Sequence, residues 1–146
     1  MGLTIPEAEV SFREALRWGQ RPEIYVALAS AQVSNGRRDE AIESLAAAAR
    51  FDAYSLVGSG RADLTAEVLR RFAARSSRAH MAEMYLSMAI AYFEDGFFQE
   101  GVAMAGQAAM YDERILRRRE LVAWGMAGHT ADRYLELKEK KSEPSQ

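Results

Sequence analysis

The chain has no cysteine among its 146 residues and only two histidines, which excludes several kinds of site at once. Without cysteine there is no disulfide framework, no thiolate zinc site and no cysteine nucleophile. The histidines, His80 and His129, are far apart in sequence, and neither has a second metal ligand close to it. We therefore expect no metal, no cofactor and no histidine-based catalysis.

An excess of charge and long apolar runs are also missing. The 19 lysines and arginines nearly balance the 21 acidic residues, so no long-range field would recruit nucleic acid or anionic lipid. The uncharged run from Met84 to Phe93 is half of the ~20 residues that a bilayer span needs. The first residues lack the basic and apolar segments of a secretory signal, so we expect a cytoplasmic protein without a membrane span.

The motifs of common enzyme classes are absent too. Gly58-Ser59-Gly60 lacks the lysine and the preceding strand of a phosphate-binding loop. The chain contains no Gly-x-Ser-x-Gly elbow and no His-Glu-x-x-His pair. We expect a protein that is not an enzyme.

What the chain does contain is an internal repeat, because residues 23–52 and 83–112 match at a fixed offset of sixty. The identical positions are Glu23/Glu83, Tyr25/Tyr85, Ala29/Ala89, Ala31/Ala91, Gly36/Gly96, Glu40/Glu100, Ala48/Ala108, Ala49/Ala109 and Asp52/Asp112. Apolar residues also match apolar residues at five further positions, Val26/Leu86, Leu28/Met88, Val33/Phe93, Ile42/Val102 and Phe51/Tyr111. The two copies therefore share a packing scheme and not a catalytic motif.

The spacing of apolar residues in each copy predicts a pair of helices. We expect the breaks between paired helices at Asn35-Gly36 and Asp95-Gly96, where glycine can adopt the left-handed conformation that ends a helix. No useful length of the chain alternates polar and apolar residues as a strand does. The sequence thus predicts an all-α fold made of helix-turn-helix hairpins.

The residues that define these hairpins have a characteristic spacing. They are Tyr25, Leu28, Ala29, Gln32, then Ala41, Leu45, Ala48 in the first copy, and Tyr85, Met88, Ala89, Tyr92, then Gly101, Ala105, Ala108 in the second. This pattern resembles the tetratricopeptide repeat (TPR), although tyrosine replaces the leading tryptophan and proline is missing after Asp52 and Asp112. The resemblance implies a right-handed α-solenoid whose concave face binds a peptide or helix of another protein.

We expect one domain over residues 1–141, with helical caps at its ends. The offset of sixty is about eight residues short of two ~34-residue repeats, so the middle repeat must be truncated. The expected segments are an N-terminal capping helix at 6–18, a repeat at 22–52, the truncated repeat at 53–81, a repeat at 82–112, a degenerate repeat or C-terminal cap at 113–141, and a disordered tail at 142–146.

Two parts of this organisation carry more specific predictions. Residues 61–76 predict a helix with Leu64, Val68, Leu69 and Phe72 on one face, whereas 53–59 has room for barely two turns. The segment after Asp112 predicts two helices that divide near Gly128-His129.

The resemblance places the partner-binding site on the first helix of each hairpin. The candidate residues are Val26, Ser30 and Val33 in the first copy and Leu86, Ile90, Phe93 and Phe97 in the second. They form a largely apolar strip suited to an apolar peptide or an amphipathic helix. Because helix 84–93 is apolar nearly all round, burial of that helix is the competing interpretation. Lysine, asparagine and arginine are missing from the positions that clamp a carboxylate in some family members.

An adaptor or scaffold that binds another protein is the expected function. One alternative is a small dedicated chaperone similar to the TPR chaperones of bacterial type III secretion. Another is a structural homo-oligomer in which a second copy fills the groove. The arginine clusters at 70–78 and 114–119 are typical of solvated helix faces with local ion pairs. We therefore do not expect nucleic acid as a partner.

Overall fold

A computed structural model describes residues 5–142, and over that range every regular element is helical, with no strand. The elements are α1 (Ile5–Trp18), α2 (Pro22–Ser34), α3 (Arg38–Phe51), α4 (Tyr54–Gly58), α5 (Ala62–Ala73), α6 (Arg78–Glu94), α7 (Phe98–Tyr111), a 3₁₀ helix (Glu113–Arg117), α8 (Arg119–Ala123) and α9 (Ala127–Ser142). The prediction of an all-α fold is confirmed.

The helices form two compact units, divided in sequence between Ala74 and Arg75. The first unit contains α1 to α5, and the second contains α6 to α9. Each unit is organised around a hairpin of long helices, α2–α3 in the first and α6–α7 in the second. These hairpins are the two sequence copies, so the repeat in the sequence is a repeat of structure within each unit.

The turns inside the two hairpins also repeat at the offset of sixty. Gly36 and Gly96 have φ of +75° and +83°, the left-handed conformation that only glycine adopts without a steric penalty. The closing backbone hydrogen bonds run from Arg37 N to Gln32 O and from Phe97 N to Tyr92 O, each 2.8 Å long. The predicted turns at Asn35-Gly36 and Asp95-Gly96 are confirmed.

The core of the second unit is closed around the α6–α7 hairpin by the 3₁₀ helix, α8 and α9. The buried residues of this core cluster are Ala82, Leu86, Ala89, Phe93, Ala105, Ala108, Ala109, Ile115, Leu121 and Tyr134. Half of them are alanines on the two helices of the hairpin, which lets the helix axes approach closely. The bulk of the core therefore comes from a few large side chains.

One pair of positions shows how the second copy accommodates a larger side chain than the first. A Cβ atom on Gly101 would lie 2.3 Å from Cε1 and 2.4 Å from Cδ1 of Phe93. The first copy has Val33 and Ala41 at the matching positions. Because protein interiors have few voids, the larger ring at 93 requires the missing methyl at 101.

The segment after the first hairpin agrees with the sequence prediction, whereas the segment after the second hairpin differs from it. The segment predicted as the truncated repeat contains a five-residue α4 and a regular α5. Of the four residues expected on one face of that helix, Leu64, Val68 and Leu69 are buried and Phe72 is half-buried. The C-terminal segment forms a 3₁₀ helix, α8 and α9 where two helices were predicted. The break before α9 lies at Gly125, with φ of +71°, and not near Gly128-His129. That pair falls in the first turn of α9, where glycine is tolerated. Of the predicted tail, Ser142 ends α9, and residues 143–146 lie outside the described range.

Candidate functional site

The four predicted site residues of the second unit differ widely in exposure. Leu86 and Phe93, 3% and 1% exposed, belong to the core, where no partner reaches them without a rearrangement. Ile90 is half-buried and packs against that core. Phe97 is 55% exposed at the N-terminus of α7. Of the four, Phe97 is therefore the most accessible.

The predicted site residues of the first unit all lie on α2. Val26, Ser30 and Val33 are half-buried, and they share the helix with the fully buried Leu28 and Ala29. Their spacing of three and four residues keeps them on one side of the helix.

An aromatic cluster lies beside Phe97 in the second unit, and the sequence prediction included only its buried member. The ring of Phe93 lies 6.1 Å from the rings of both Phe98 and Trp124, and those two rings are 6.4 Å apart. Phe98 is 43% exposed and Trp124 is 37% exposed. Phe93 thus anchors two exposed rings in fixed positions, a geometry that aromatic side chains favour.

The cluster borders a groove of about 840 Å³ between α7 and α9, which we call the α7–α9 groove. Its lining residues are Phe98, Gln99, Val102, Ala103, Met126, His129, Asp132, Arg133 and Glu136. The α7 wall is mostly apolar and the α9 wall is mostly polar. The two helices approach closely at Gly106, where an added Cβ would lie 2.7 Å from Cγ of Arg133.

Between Arg78, the first residue of α6, and Arg114 the charged side chains of the α6–α7 hairpin are acidic. Residues 79–113 contain six aspartates and glutamates and no lysine or arginine. Glu83 pairs with Arg118, and Asp112 pairs with Arg114 at 2.9 Å. The hydrogen bond from the Arg114 side chain lowers the pKa of Asp112 below its ordinary value.

Other carboxylates near the cluster have no such partner. Glu94 and Asp95 precede Phe97 in the turn, Glu100 lies in the first turn of α7, and Asp132 lines the groove. Over residues 5–142 no lysine, arginine or histidine forms an ion pair with any of these four. The aromatic surface is therefore framed by uncompensated negative charge.

The matching positions of the first unit are used differently. Arg37 and Arg38 stand where the second copy has Phe97 and Phe98. Arg37 pairs with the buried carboxylate of Glu9 on α1, and Arg38 contacts Asp63 on α5 at 2.7 Å. In the first unit these side chains connect helices of the same unit, whereas in the second unit the equivalent side chains are exposed.

The sequence contained only part of this site. The exchange of Arg37-Arg38 for Phe97-Phe98 between the copies is the signal that marks the aromatic cluster. No comparable signal identifies Trp124, Met126 or Asp132, because they come from the C-terminal segment that has no counterpart in the repeat pattern. Their position beside α7 follows only from the packing of α9 against that helix.

Comparison with known protein families, curated proteins and solved structures finds no match to this chain. Within residues 5–142 no group of three or more histidine, aspartate or glutamate side chains could hold a metal ion. In the same part of the chain, no helix has the length and the apolar character to cross a membrane.

Proposed function

We propose that this chain is a protein-binding module without enzymatic activity, built from TPR-like hairpins arranged as a right-handed solenoid. Two observations support the architecture: a pair of hairpins that repeats at an offset of sixty, and glycine turns with the same backbone hydrogen bond. The proposal assigns the adaptor role to the second unit, since that unit carries the exposed aromatic rings.

The observation that carries the proposed function is the set of exposed rings of Phe97, Phe98 and Trp124, of which Phe98 lines the α7–α9 groove. Aromatic side chains bury 150–250 Å² each in an interface, so covering the exposed parts of these three removes on the order of 270 Å² from water. At about 25 cal/mol per Å², this area contributes roughly 7 kcal/mol. Association costs on the order of 4–15 kcal/mol, so the rings need help from the groove to bind measurably.

Selection of displayed peptides on the folded chain tests this function. Selected peptides should bind the wild type in solution, and the double variant Phe97→Ser/Phe98→Ser should weaken binding at least about tenfold, the loss of ~1.4 kcal/mol. Leu135→Ser is the matched control, because Leu135 is 57% exposed on α9 but does not line the groove. Circular dichroism verifies that each variant is folded. Failure to select any peptide, or equal binding by the double variant, would reject the proposal.

The half-buried residues of the predicted strip remain candidates for partner contact within the same function. They are Val26, Ser30, Val33 and Ile90. Ile90→Glu is the most informative substitution, because Ile90 lies in the unit that contains the aromatic cluster. Unchanged peptide binding by a folded Ile90→Glu variant would remove Ile90 from the site and leave the aromatic cluster as the contact surface.

A further inference from the structure

The α7–α9 groove combines an apolar wall with carboxylates that attract a cation. The apolar part of the lining consists of Phe98, Val102 and Ala103 on α7 and of Met126, which precedes α9. Asp132 lies in the groove without a cationic partner in the described chain, while Glu136 is paired with Arg133 at 3.0 Å. An occupant that offers only apolar groups would leave the charge of Asp132 uncompensated when water is excluded.

The surroundings of the groove strengthen this preference. Glu94, Asp95 and Glu100 are close in sequence to Phe97 and Phe98, and Arg133, which lines the groove, is paired with Glu136. Unpaired carboxylates of one sign raise the local concentration of cationic groups and repel anionic ones. This surface therefore disfavours nucleic acid and anionic membranes and favours a basic partner.

The dimensions of the groove fit a short stretch of helix. The lining on the α9 side extends from Met126 to Glu136, which is about 15 Å at a rise of 1.5 Å per residue. A helix of similar length presents two or three apolar side chains one turn apart, and such a stripe packs between the ridges of two neighbouring helices. Lysine or arginine on either side of the stripe would reach the carboxylates and the faces of Phe98 and Trp124.

We propose that the α7–α9 groove binds a basic amphipathic helix of a partner protein. Its apolar stripe packs on Phe98, Val102 and Met126, and its flanking lysines or arginines pair with Asp132 and with the acidic turn before Phe97. This inference rests on the proposed protein-binding function and names the chemistry of the partner. It applies to the second copy alone, because the first copy has Arg38, Asp39, Ile42 and Glu43 at the positions that form the α7 wall.

The test uses a labelled synthetic helix of about 18 residues, five turns, that contains only leucine and lysine with the leucines in one stripe. Two control peptides accompany it: one has glutamate in place of each lysine, and one has the same composition with the stripe scrambled. Fluorescence anisotropy at about 50 mM and about 300 mM NaCl measures binding at two degrees of screening. The lysine helix should bind about tenfold or more tighter than either control peptide, and salt should weaken its binding several-fold.

Substitutions then locate the site. Asp132→Asn should weaken binding of the lysine helix about three- to fivefold, the equivalent of one ion pair worth up to ~1 kcal/mol. Glu139→Gln is the matched control, because Glu139 is exposed on the same helix but does not line the groove. Ala103→Arg should weaken binding at least about tenfold by filling the groove and adding a positive charge. If that variant is not folded, Gln99→Lys tests the same wall from an exposed position.

The possible outcomes separate this inference from the function on which it rests. Equal binding of the lysine and glutamate helices, with loss in Phe97→Ser/Phe98→Ser, would refute the basic partner and leave the protein-binding function standing. Unchanged binding in Asp132→Asn and in the variants of the α7 wall would place the site elsewhere and overturn the inference. A dimer in sedimentation that Ala103→Arg dissociates would show that a second copy occupies the groove. Absence of binding by every peptide, including a displayed library, would reject both proposals.

Discussion

Replacement of Gly101 by alanine probes the packing that supports the aromatic cluster. Gly101 lies in the first turns of α7, where alanine is the better helix former by about 1 kcal/mol. The added methyl would nevertheless overlap the ring of Phe93, with distances of 2.3 and 2.4 Å to two ring carbons. That ring is buried and packs against Phe98 and Trp124, so it cannot move without displacing the exposed part of the site.

Helix propensity and overpacking act in opposite directions, and their sizes decide whether the substitution raises or lowers the free energy of unfolding. Overpacking of this kind costs about 1–3 kcal/mol, while the gain in helix propensity offsets about 1 kcal/mol of it. We expect Gly101→Ala to lower the free energy of unfolding of the second unit by up to about 2 kcal/mol. In a Phe93→Val background the overlap is gone, and the same substitution should stabilise by about 1 kcal/mol. The coupling between positions 93 and 101 is then about 1–3 kcal/mol, the cost of overpacking itself.

Urea unfolding followed by tryptophan fluorescence measures this cycle. Trp124 contacts Phe93 and reports on the second unit, and a Trp18→Phe background removes the signal of the chain's other tryptophan. Gly128→Ala is the control for helix propensity, since a Cβ there would have no neighbour within 4 Å. The control should stabilise the chain with either phenylalanine or valine at position 93. If Gly101→Ala also stabilised the chain in both cases, the explanation that the Phe93 ring occupies the space of a methyl group at position 101 would be refuted.

Two further predictions concern a buried hydrogen bond and an exposed ion pair. Ser44 Oγ donates to Gln32 Oε1 at 2.7 Å between α2 and α3, so Ser44→Ala should cost about 1–3 kcal/mol by leaving a buried amide unpaired. The double variant Gln32→Leu/Ser44→Ala should recover most of that loss in the same urea assay, and an equal loss would contradict this account. Because Arg114 lowers the pKa of Asp112 below 3.8 in the folded chain, the pair stabilises fully above that pH and its contribution disappears as pH falls through the lowered pKa. The deficit in Tm of Asp112→Asn at neutral pH should therefore vanish in acid, and a pH-independent deficit would argue against the pair.

The hairpins were predictable because their signals are local. Helical spacing of apolar residues and a glycine that must adopt positive φ are properties of neighbouring residues, so both turns were located correctly. The C-terminal division was harder, since Gly125 and Gly128 are both candidate break points. Only the packing of Leu121 and Tyr134 into the core distinguishes them, by fixing where α8 ends and α9 begins.

The candidate binding surface was less predictable, because it depends on contacts between segments distant in sequence. The sequence pattern of an apolar residue on a hairpin helix is the same whether the residue faces the core or solvent. Leu86 and Phe93 lie in the core. Phe98 lies two residues beyond the turn and carries no periodic signal that separates it from a core residue. Trp124 lies beside Phe98 only because the fold of the second unit brings the two residues together.

The most direct test of the central claim is a map of amide chemical shifts in the chain during titration with the lysine helix. Binding in the α7–α9 groove predicts that the perturbed amides cluster at residues 98–103 and 126–136. Titration with the glutamate helix at the same concentration should leave those amides unshifted. Perturbations confined to α2 and α3, or equal shifts with both helices, would contradict the assignment of this acidic, aromatic groove as the binding site.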